Sequence, residues 1–369
     1  METLDVIKPW LSKAGVTRLS DVTGMDCLGL PVFASVRPDS KSLAVDSGKG
    51  ITKEHAKASA AMESLERWAL DEVKIEDQVV RVPAPALDIR FPRIRSSAQS
   101  EFLRIASATN IVSGEVLSVP YYCVKMYTGS ENLQDRIFAA STNGMASGNT
   151  REEAVASGLF EVIERDAMNI ALTNETAKRC RIDTSHDPFT LSAIESAREA
   201  GCEFFCYDCT SDVGIPVFLC ILADKRRGVG LYKGYGCHLC PDIALNRAIC
   251  ETAQARCVVM AGARDDITWF LHSKVIANTN EIDWIYEFNK QDFSTDIANM
   301  SDLSTGSAEH DIQKAIAMLD SAGFDRALLV DFPIDGAPFS CVKVLVPGMA
   351  GYKFINGVNP GRVLEAGRS

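Results

Sequence analysis

Three stretches of the chain repeat one pattern of apolar and polar positions, and each predicts a helix. Ala56–Arg67 reads Ala-Lys-Ala-Ser-Ala-Ala-Met-Glu-Ser-Leu-Glu-Arg, Ala154–Arg165 reads Ala-Val-Ala-Ser-Gly-Leu-Phe-Glu-Val-Ile-Glu-Arg, and Ala244–Ala255 reads Ala-Leu-Asn-Arg-Ala-Ile-Cys-Glu-Thr-Ala-Gln-Ala. The three align without gaps. They contain no proline, are rich in helix formers, and space their apolar residues three and four apart. Residues at that spacing share a helix face. Ser59, Glu63 and Glu66 therefore form one polar stripe, Ser157, Glu161 and Glu164 a second, and Arg247, Glu251 and Gln254 a third.

A second pattern is shorter. Asp21-Val-Thr23 leads to Gly29-Leu-Pro31-Val-Phe33, Asp208 through Gly214-Ile-Pro216-Val-Phe218 is a near copy, and Asp331 through Gly336-Ala-Pro338-Phe339 is a looser echo. β-branched and aromatic runs such as Val217–Leu222 and Cys341–Val346 flank these Gly/Pro turns, which predicts strand, turn and strand. Strands joined by a short connection favour antiparallel pairing. A glycine-rich stretch precedes each helix: Gly48-Lys49-Gly50, Asn143 through Asn149, and Gly234-Tyr-Gly236. These read as loops. The repeated unit is then strand, turn, strand, glycine loop and helix. It predicts an α+β fold of mostly antiparallel sheets with helices on their faces, and speaks against a doubly wound parallel sheet. Residues 87–100 read as a connection and 281–310 as a peripheral insertion. The apolar residues near Trp269 read as core. No long low-complexity linker divides the chain, so a single domain over 1–369 is expected, its core at about 24–350.

Composition narrows the function classes. At 369 residues the chain exceeds the roughly 250–300 that one core supports, so two lobes or one elaborated domain are expected. Lys and Arg total 38 against 49 Asp and Glu, a formal charge of −11, which speaks against nucleic acid as the main partner. Hydrophobic residues at 46% and charged ones at 24% fit a globular protein. Met1–Lys13 has no continuous apolar region, and no run approaches the ~20 apolar residues of a membrane span. The 12 cysteines are expected to be reduced thiols in a cytosolic protein.

A lone Glu-x-x-Glu-Arg is ordinarily a solvated, charge-paired helix face. Here the motif recurs, sits among small residues such as Ser59, Ala60, Ser157 and Gly158, and follows glycine each time. Carboxylates brought together repel unless a cation joins them. Mg2+ takes oxygen ligands and bridges to phosphate. Arg67, Arg165 and Arg247 offer fixed positive charge for phosphate oxygens. A nucleotide held through Mg2+ by helix-borne glutamates follows. Gly48-Lys49-Gly50 lacks the Walker A spacing, and both a phosphate loop and a plain turn with an exposed lysine stay open. Thr150-x-x-Glu153 is a capping box, and Glu153 can also face a metal only if the helix start is buried. Cys206-x-x-Cys209 and Cys237-x-x-Cys240 are 27 residues apart, longer than the usual zinc gap, so structural cysteines are the preferred reading. Cys237-His238 opens the loop before the third helix, which leaves a local role open.

These motifs together resemble the ATP-binding motifs of the YcaO superfamily: Ser59-x-x-x-Glu63-x-x-Glu66-Arg67, Asn149-x-x-x-Glu153, Glu161-x-x-Glu164-Arg165 and Arg247-x-x-x-Glu251-x-x-Gln254. The resemblance runs from about Gly24 to Pro347-Gly348. Ser47-Gly-Lys-Gly50, Arg37-Pro38, Gly236-Cys-His238 and Ala261-Gly-Ala-Arg264-Asp265-Asp266 further resemble the TfuA-associated branch. The resemblance implies ATP-dependent modification of a peptide backbone amide. A nucleophile adds to the amide carbon, ATP phosphorylates the oxyanion, and phosphate leaves. It also implies Glu63, Glu161 and Glu251 as one Mg2+ set and Glu66 and Glu164 as a second. Ser59, Asn149, Glu153, Arg165 and Arg247 are implied as nucleotide contacts, with Lys49 at phosphate. Gln254 is neutral, so the third helix is expected to support a metal through Glu251 alone.

The TfuA-associated branch implies thioamide formation with an external sulfur donor. The alternatives are an azoline-forming cyclodehydratase acting on Cys, Ser or Thr, and a non-catalytic peptide-binding scaffold subunit. The last is disfavoured because the motif glutamates are all kept. The chain ends Leu364-Glu-Ala-Gly-Arg-Ser369, without the proline-rich terminus often found in azoline-forming members, which favours thioamidation. Met1–Thr23 is short for a leader-binding domain, so a TfuA-like or other partner for peptide recognition or sulfur delivery is expected. A homodimer is expected from the family.

Overall fold

The computed structural model describes residues 3–81, 90–91, 102–126, 138, 140–224, 231–262, 285, 289 and 292–351. The expected core near Trp269, the Arg264-Asp265-Asp266 motif and most of 87–100 lie outside the described residues.

In chain order the elements are α1 (Thr3–Lys13), β1 (Arg18–Asp21), β2 (Val32–Val36), β3 (Val45–Lys49), α2 (Lys53–Glu72), β4 (Asp77–Arg81), β5 (Phe102–Asn110), β6 (Val116–Pro120) and α3 (Tyr121–Val124). There follow β7 (Met145–Gly148), α4 (Arg151–Thr173), β8 (Lys178–Arg181), α5 (Pro188–Glu199), β9 (Cys202–Asp208), β10 (Val217–Asp224), β11 (Leu231–Cys237), α6 (Pro241–Ala261), β12 (Thr295–Asp296), α7 (Ala308–Ser321), β13 (Leu328–Phe332) and β14 (Ser340–Leu345). Helix boundaries follow local chemistry. Asp187 caps α5 by accepting from the Thr190 N–H at 2.8 Å, with Pro188 next to it. α6 starts at Pro241 and stops at Gly262, whose φ of 59° is the left-handed conformation glycine adopts most readily.

Two compact units form. The first comprises Met1–Leu65, Ala177–Thr210 and Ile215–Ser304, and the second Glu66–Thr176, Ser211–Gly214 and Thr305–Ser369. The first holds a sheet ordered β1-β2-β3 and another ordered β11-β10-β9-β8-β12. Of these pairs only β12 with β8 is parallel. α6 lies on β10 and β11, and Phe218, Cys220, Ala244, Leu245, Ala248 and Ile249 form a dry core there with Ala193 of α5. The fully buried Phe218 ring contributes roughly 2–3 kcal/mol by its removal from water. Within the segment read as a peripheral insertion, β12 extends this sheet and Ile297 is buried in the same core.

A second buried feature of this unit is ionic. Arg256 of α6 is wholly buried and donates to Asp26 at 2.7 Å and Asp224 at 2.8 Å. Its guanidinium also lies 5.3 Å from the Tyr232 ring centroid.

The second unit is built on a sheet ordered β4-β5-β13-β14-β7, with β6 paired to β5. α4 packs on β7 and β14, and α7 on α4. Lys125, just beyond α3, is buried and donates to the Val73 carbonyl at 2.9 Å and to the Leu70 carbonyl, closing the C-terminal end of α2.

The α+β class with antiparallel sheets and helices on their faces is therefore present, and the three patterned stretches lie in α2, α4 and α6. Two expectations are corrected. The glycine-rich stretches are largely strands and not loops: Gly48 lies in β3, Gly148 in β7, and Gly234 and Gly236 in β11, while Gly50, Asn143, Gly144 and Asn149 lie just outside the strands. Their glycines permit close strand–helix packing. A Cβ at Gly48 would lie 2.0 Å from the Ala60 nitrogen, and one at Gly236 2.0 Å from the Ala244 oxygen. The repeat is also not linear. β2 pairs with β3 before α2, and β10 with β11 before α6, but the hairpin pairing with β7 before α4 is β13–β14 from the far end of the chain.

Candidate functional site

The glycine contacts set the three repeats in register. A Cβ at Gly50 would meet His55 Cβ and the Ala56 nitrogen, and one at Gly148 would meet Glu153 Cβ and the Ala154 nitrogen. Gly48 faces the Ala56 oxygen and Ala60 nitrogen as Gly236 faces the Ala244 oxygen and Ala248 nitrogen. Lys49, Ser147 and Cys237 therefore hold one equivalent strand position. Each strand ends against the first turns of its helix, and the glutamates follow two turns later.

In the first unit, the Lys49 ammonium is bonded to Glu251 Oε2, and the two side chains are 26% and 22% exposed. Lys49 is thus neither in a turn nor an exposed lysine. Its backbone N–H approaches Ser59 Oγ at 3.4 Å. Gln254, one turn beyond Glu251, donates its amide to the Ser47 carbonyl. Glu63 is half-buried on α2, and Arg247 is exposed on α6. Burial pushes the Cys250 thiol up to about 12, against the opposing pull of Lys49 and Arg247, so both cations act on this part of α6. His238 Nδ1 accepts from the Cys240 N–H at 2.9 Å, and the His238 backbone N–H donates to the Pro216 carbonyl at 3.3 Å, so it shapes the entry to α6. Cys237 beside it is fully buried. Of the other Cys-x-x-Cys pair, Cys206 Sγ lies 3.6 Å from Cys220 Sγ on the adjacent strand, and Cys209 Sγ lies 3.8 Å from the Tyr207 carbonyl.

In the second unit, Glu66 Oε1 accepts from the Ser147 N–H at 2.9 Å and from Ser147 Oγ at 2.6 Å. Arg165 Nε lies 3.9 Å from Glu161 Oε1 and 4.0 Å from Glu164 Oε1. Glu164 is only 4% exposed. Lys343 of β14 is wholly buried and donates to the Ser141 carbonyl at 2.6 Å. Burial lowers its pKa to about 8, while the nearby Glu161 carboxylate opposes the shift. At the start of α4, Thr150 Oγ1 accepts from the Glu153 N–H at 3.2 Å. The Glu153 carboxylate in turn accepts from the Asn149 backbone N–H at 2.9 Å and its side-chain amide at 3.1 Å. The box is present, shifted by one residue from the usual reciprocal partner. Asn149, Thr150 and Glu153 are exposed, so the burial that Glu153 needs to face a metal is not met at this helix start.

Sequence reasoning missed Ser147, Lys343 and the Ser47 carbonyl. Ser147 carried a signal, because aligning Gly50 with Gly148 places it opposite Lys49 in the repeat.

The donor chemistry fits Mg2+ arriving with a phosphate. The candidate ligands Glu63, Glu66, Glu161, Glu164 and Glu251 are all oxygen donors and all partly or wholly withdrawn from water. Glu251 already attracts a cation, the Lys49 ammonium. Among the described residues no three His, Cys, Asp or Glu side chains converge as a metal cage. Mg2+ usually keeps several waters and takes substrate phosphate beside its carboxylates, so the protein need not supply a complete cage by itself. Among the described residues no helix is long and apolar enough to cross a membrane.

Comparison with known proteins agrees with this chemistry. The YcaO cyclodehydratase, ATP- and Mg2+-binding family model matches residues 47–350. A protein encoded in the tfuA 3' region of Rhizobium leguminosarum bv. trifolii is 32% identical, over 94% of this chain and 87% of its own length. Among solved structures, a heterocyclase in complex with substrate and cofactor superposes with a TM-score of 0.79 at 20% identity, covering 100% of this chain and 55% of that one. YcaO from Methanopyrus kandleri, bound with AMPPCP and Mg2+, superposes with a TM-score of 0.75 at 24% identity, covering 95% of this chain and 91% of that one. These likenesses show the shared fold. With the family match spanning most of its length, the chain belongs to the YcaO family of ATP- and Mg2+-binding proteins.

Proposed function

We propose that this protein activates a backbone amide of a peptide or protein with ATP and Mg2+, and that the product is a thioamide. The observation that carries the proposal is the set of withdrawn glutamates at equivalent places on α2, α4 and α6, each helix packed against a glycine-bearing strand. In this reading Glu63, Glu161 and Glu251 hold one Mg2+ and Glu66 and Glu164 a second. Ser59, Asn149, Glu153, Arg165 and Arg247 contact the nucleotide. Lys49 exchanges Glu251 for phosphate when nucleotide binds. Gln254 fixes the strand through Ser47. Bound Mg2+ neutralises phosphate charge and orients the transferred group.

The reaction balances as follows. A sulfur nucleophile from an external donor adds to the amide carbon, and the carbonyl electron pair moves to oxygen. That oxygen attacks the γ-phosphoryl group of ATP, releasing ADP. The carbon–oxygen bond then breaks, the oxygen leaves as phosphate, and carbon–sulfur double bonding is completed with loss of a proton. Phosphorylation is needed because an amide oxygen is a poor leaving group. Donors fixed where charge develops lower the barrier.

The Rhizobium relative, described by its place beside tfuA, supports thioamidation and a TfuA-like partner for peptide recognition or sulfur delivery. The family's cyclodehydratase description and the heterocyclase likeness support a second reading. In it a Cys, Ser or Thr side chain of the substrate is the nucleophile and an azoline forms.

The test is to incubate the protein with ATP, Mg2+, candidate peptide, sulfide and partner, and to weigh the peptide. Exchange of oxygen for sulfur supports thioamidation, and loss of water supports the azoline reading. If there is neither ATP turnover nor Mg2+-dependent nucleotide binding, the protein is a scaffold and the proposal is wrong.

A further inference from the structure

We infer that Ser147 is a positioning residue for Glu66, orienting that carboxylate as a metal ligand. The inference rests on the nucleotide reading above and extends it to a residue outside the motif glutamates. Both donors of Ser147 converge on a single oxygen of Glu66, the N–H at 2.9 Å and the hydroxyl at 2.6 Å. A carboxylate oxygen with two fixed donors cannot rotate freely. Its second oxygen, Oε2, and the remaining lone pairs on Oε1 keep a defined direction. Groups that orient a ligating carboxylate in this way set metal affinity as the ligands themselves do.

The position recurs in the fold. Lys49, equivalent to Ser147 by the packing of Gly50 and Gly148 on their helices, also directs a donor to a motif glutamate, Glu251. In both cases the glutamate sits on a helix other than the one the strand leads into. β3 leads into α2 but reaches Glu251 on α6, and β7 leads into α4 but reaches Glu66 on α2. In these two of the three repeats, the strand residue beside the close-packed glycine holds a neighbouring helix's carboxylate. Cys341, paired with Ser147 across β14 and β7, is buried.

The experiment titrates Mg2+ against binding of a non-hydrolysable ATP analogue to the full chain, by calorimetry. Ser147→Ala keeps the backbone donor and loses the hydroxyl. It is expected to need about 10- to 100-fold more Mg2+ for half-saturation. Ser147→Cys, similar in volume but a weak donor, should behave like the alanine variant, and Ser147→Thr should recover most of the loss. In a Glu66→Gln background, Ser147→Ala should add little further loss, because the group it positions is gone. A merely structural serine would lower the thermal midpoint without moving the Mg2+ requirement. Unchanged Mg2+ dependence in Ser147→Ala and Ser147→Cys, or an undiminished loss in the Glu66→Gln background, overturns the inference while leaving the nucleotide reading intact. Absence of Mg2+-dependent binding in the unsubstituted protein overturns both.

Discussion

The Lys49 ammonium rests on Glu251 Oε2, so a strand residue neutralises a helix carboxylate within one unit of the fold. Both side chains are about three-quarters buried, which places the pair between a screened surface bridge and a fully desolvated one. Lys49→Met should lower stability by about 1–2 kcal/mol, and Glu251→Gln by a similar amount. The double variant should lose clearly less than the sum, because each single change removes the same pair. Denaturation midpoints of the four proteins check this, and additive losses would disprove the coupling.

Gly236→Ala should be severely destabilising, by about 3 kcal/mol or more, because its new methyl would sit 2.0 Å from the Ala244 oxygen and force β11 off α6. Gly24→Ala is the control, since nothing lies within 4 Å of a Cβ there. Urea denaturation should separate the two. Equal midpoints would mean that the strand–helix approach is not what selects glycine.

Arg256→Met should cost about 3–5 kcal/mol by leaving Asp26 and Asp224 buried without their cation. Among the described residues the ion pairs of Arg256 are with Asp26 and Asp224, not with a motif glutamate. Nucleotide binding by whatever fraction stays folded should therefore keep its Mg2+ dependence, which a binding titration on the folded fraction will show.

Lys343 sets an alkaline dependence. Burial holds its folded pKa at about 8, below the ordinary lysine value of 10.5, so the folded state loses the proton first. Between these values the unfolded chain binds more protons, and this group's contribution to stability rises with pH. The gain is bounded at roughly 3 kcal/mol. In Lys343→Met the rise should vanish. The measurement is the difference in denaturation midpoint between the two proteins from pH 7 to 10. A constant difference would show that Lys343 does not titrate in that range.

How much of this was legible follows from where each signal lies. α2, α4 and α6 and their glutamates were readable because helix period and repetition sit within twelve-residue windows. The segments bearing Gly48, Gly148 and Gly236 read as loops from sequence, because closely spaced glycines ordinarily mark turns. The reason they are strands is tertiary: helix backbone lies where a side chain would be. The pairing of β14 with β7 joins segments almost two hundred residues apart, so the order of the second repeat was hidden. Ser147 and Glu66 are 81 residues apart, and nothing about either residue type announces the contact. The burial of Arg256 with Asp26 and Asp224 was invisible for the same reason.

The central claim is that the helix glutamates carry Mg2+ together with ATP. Calorimetric titration of a non-hydrolysable ATP analogue into the unsubstituted protein, Glu161→Gln and Glu251→Gln, each with Mg2+ and with a chelator, tests it most directly. The account predicts binding that requires Mg2+ and weakens at least about tenfold, or 1.4 kcal/mol, in each variant while the thermal midpoint without nucleotide shows a folded protein. Binding that survives the chelator, or that is unchanged in both variants, would contradict it.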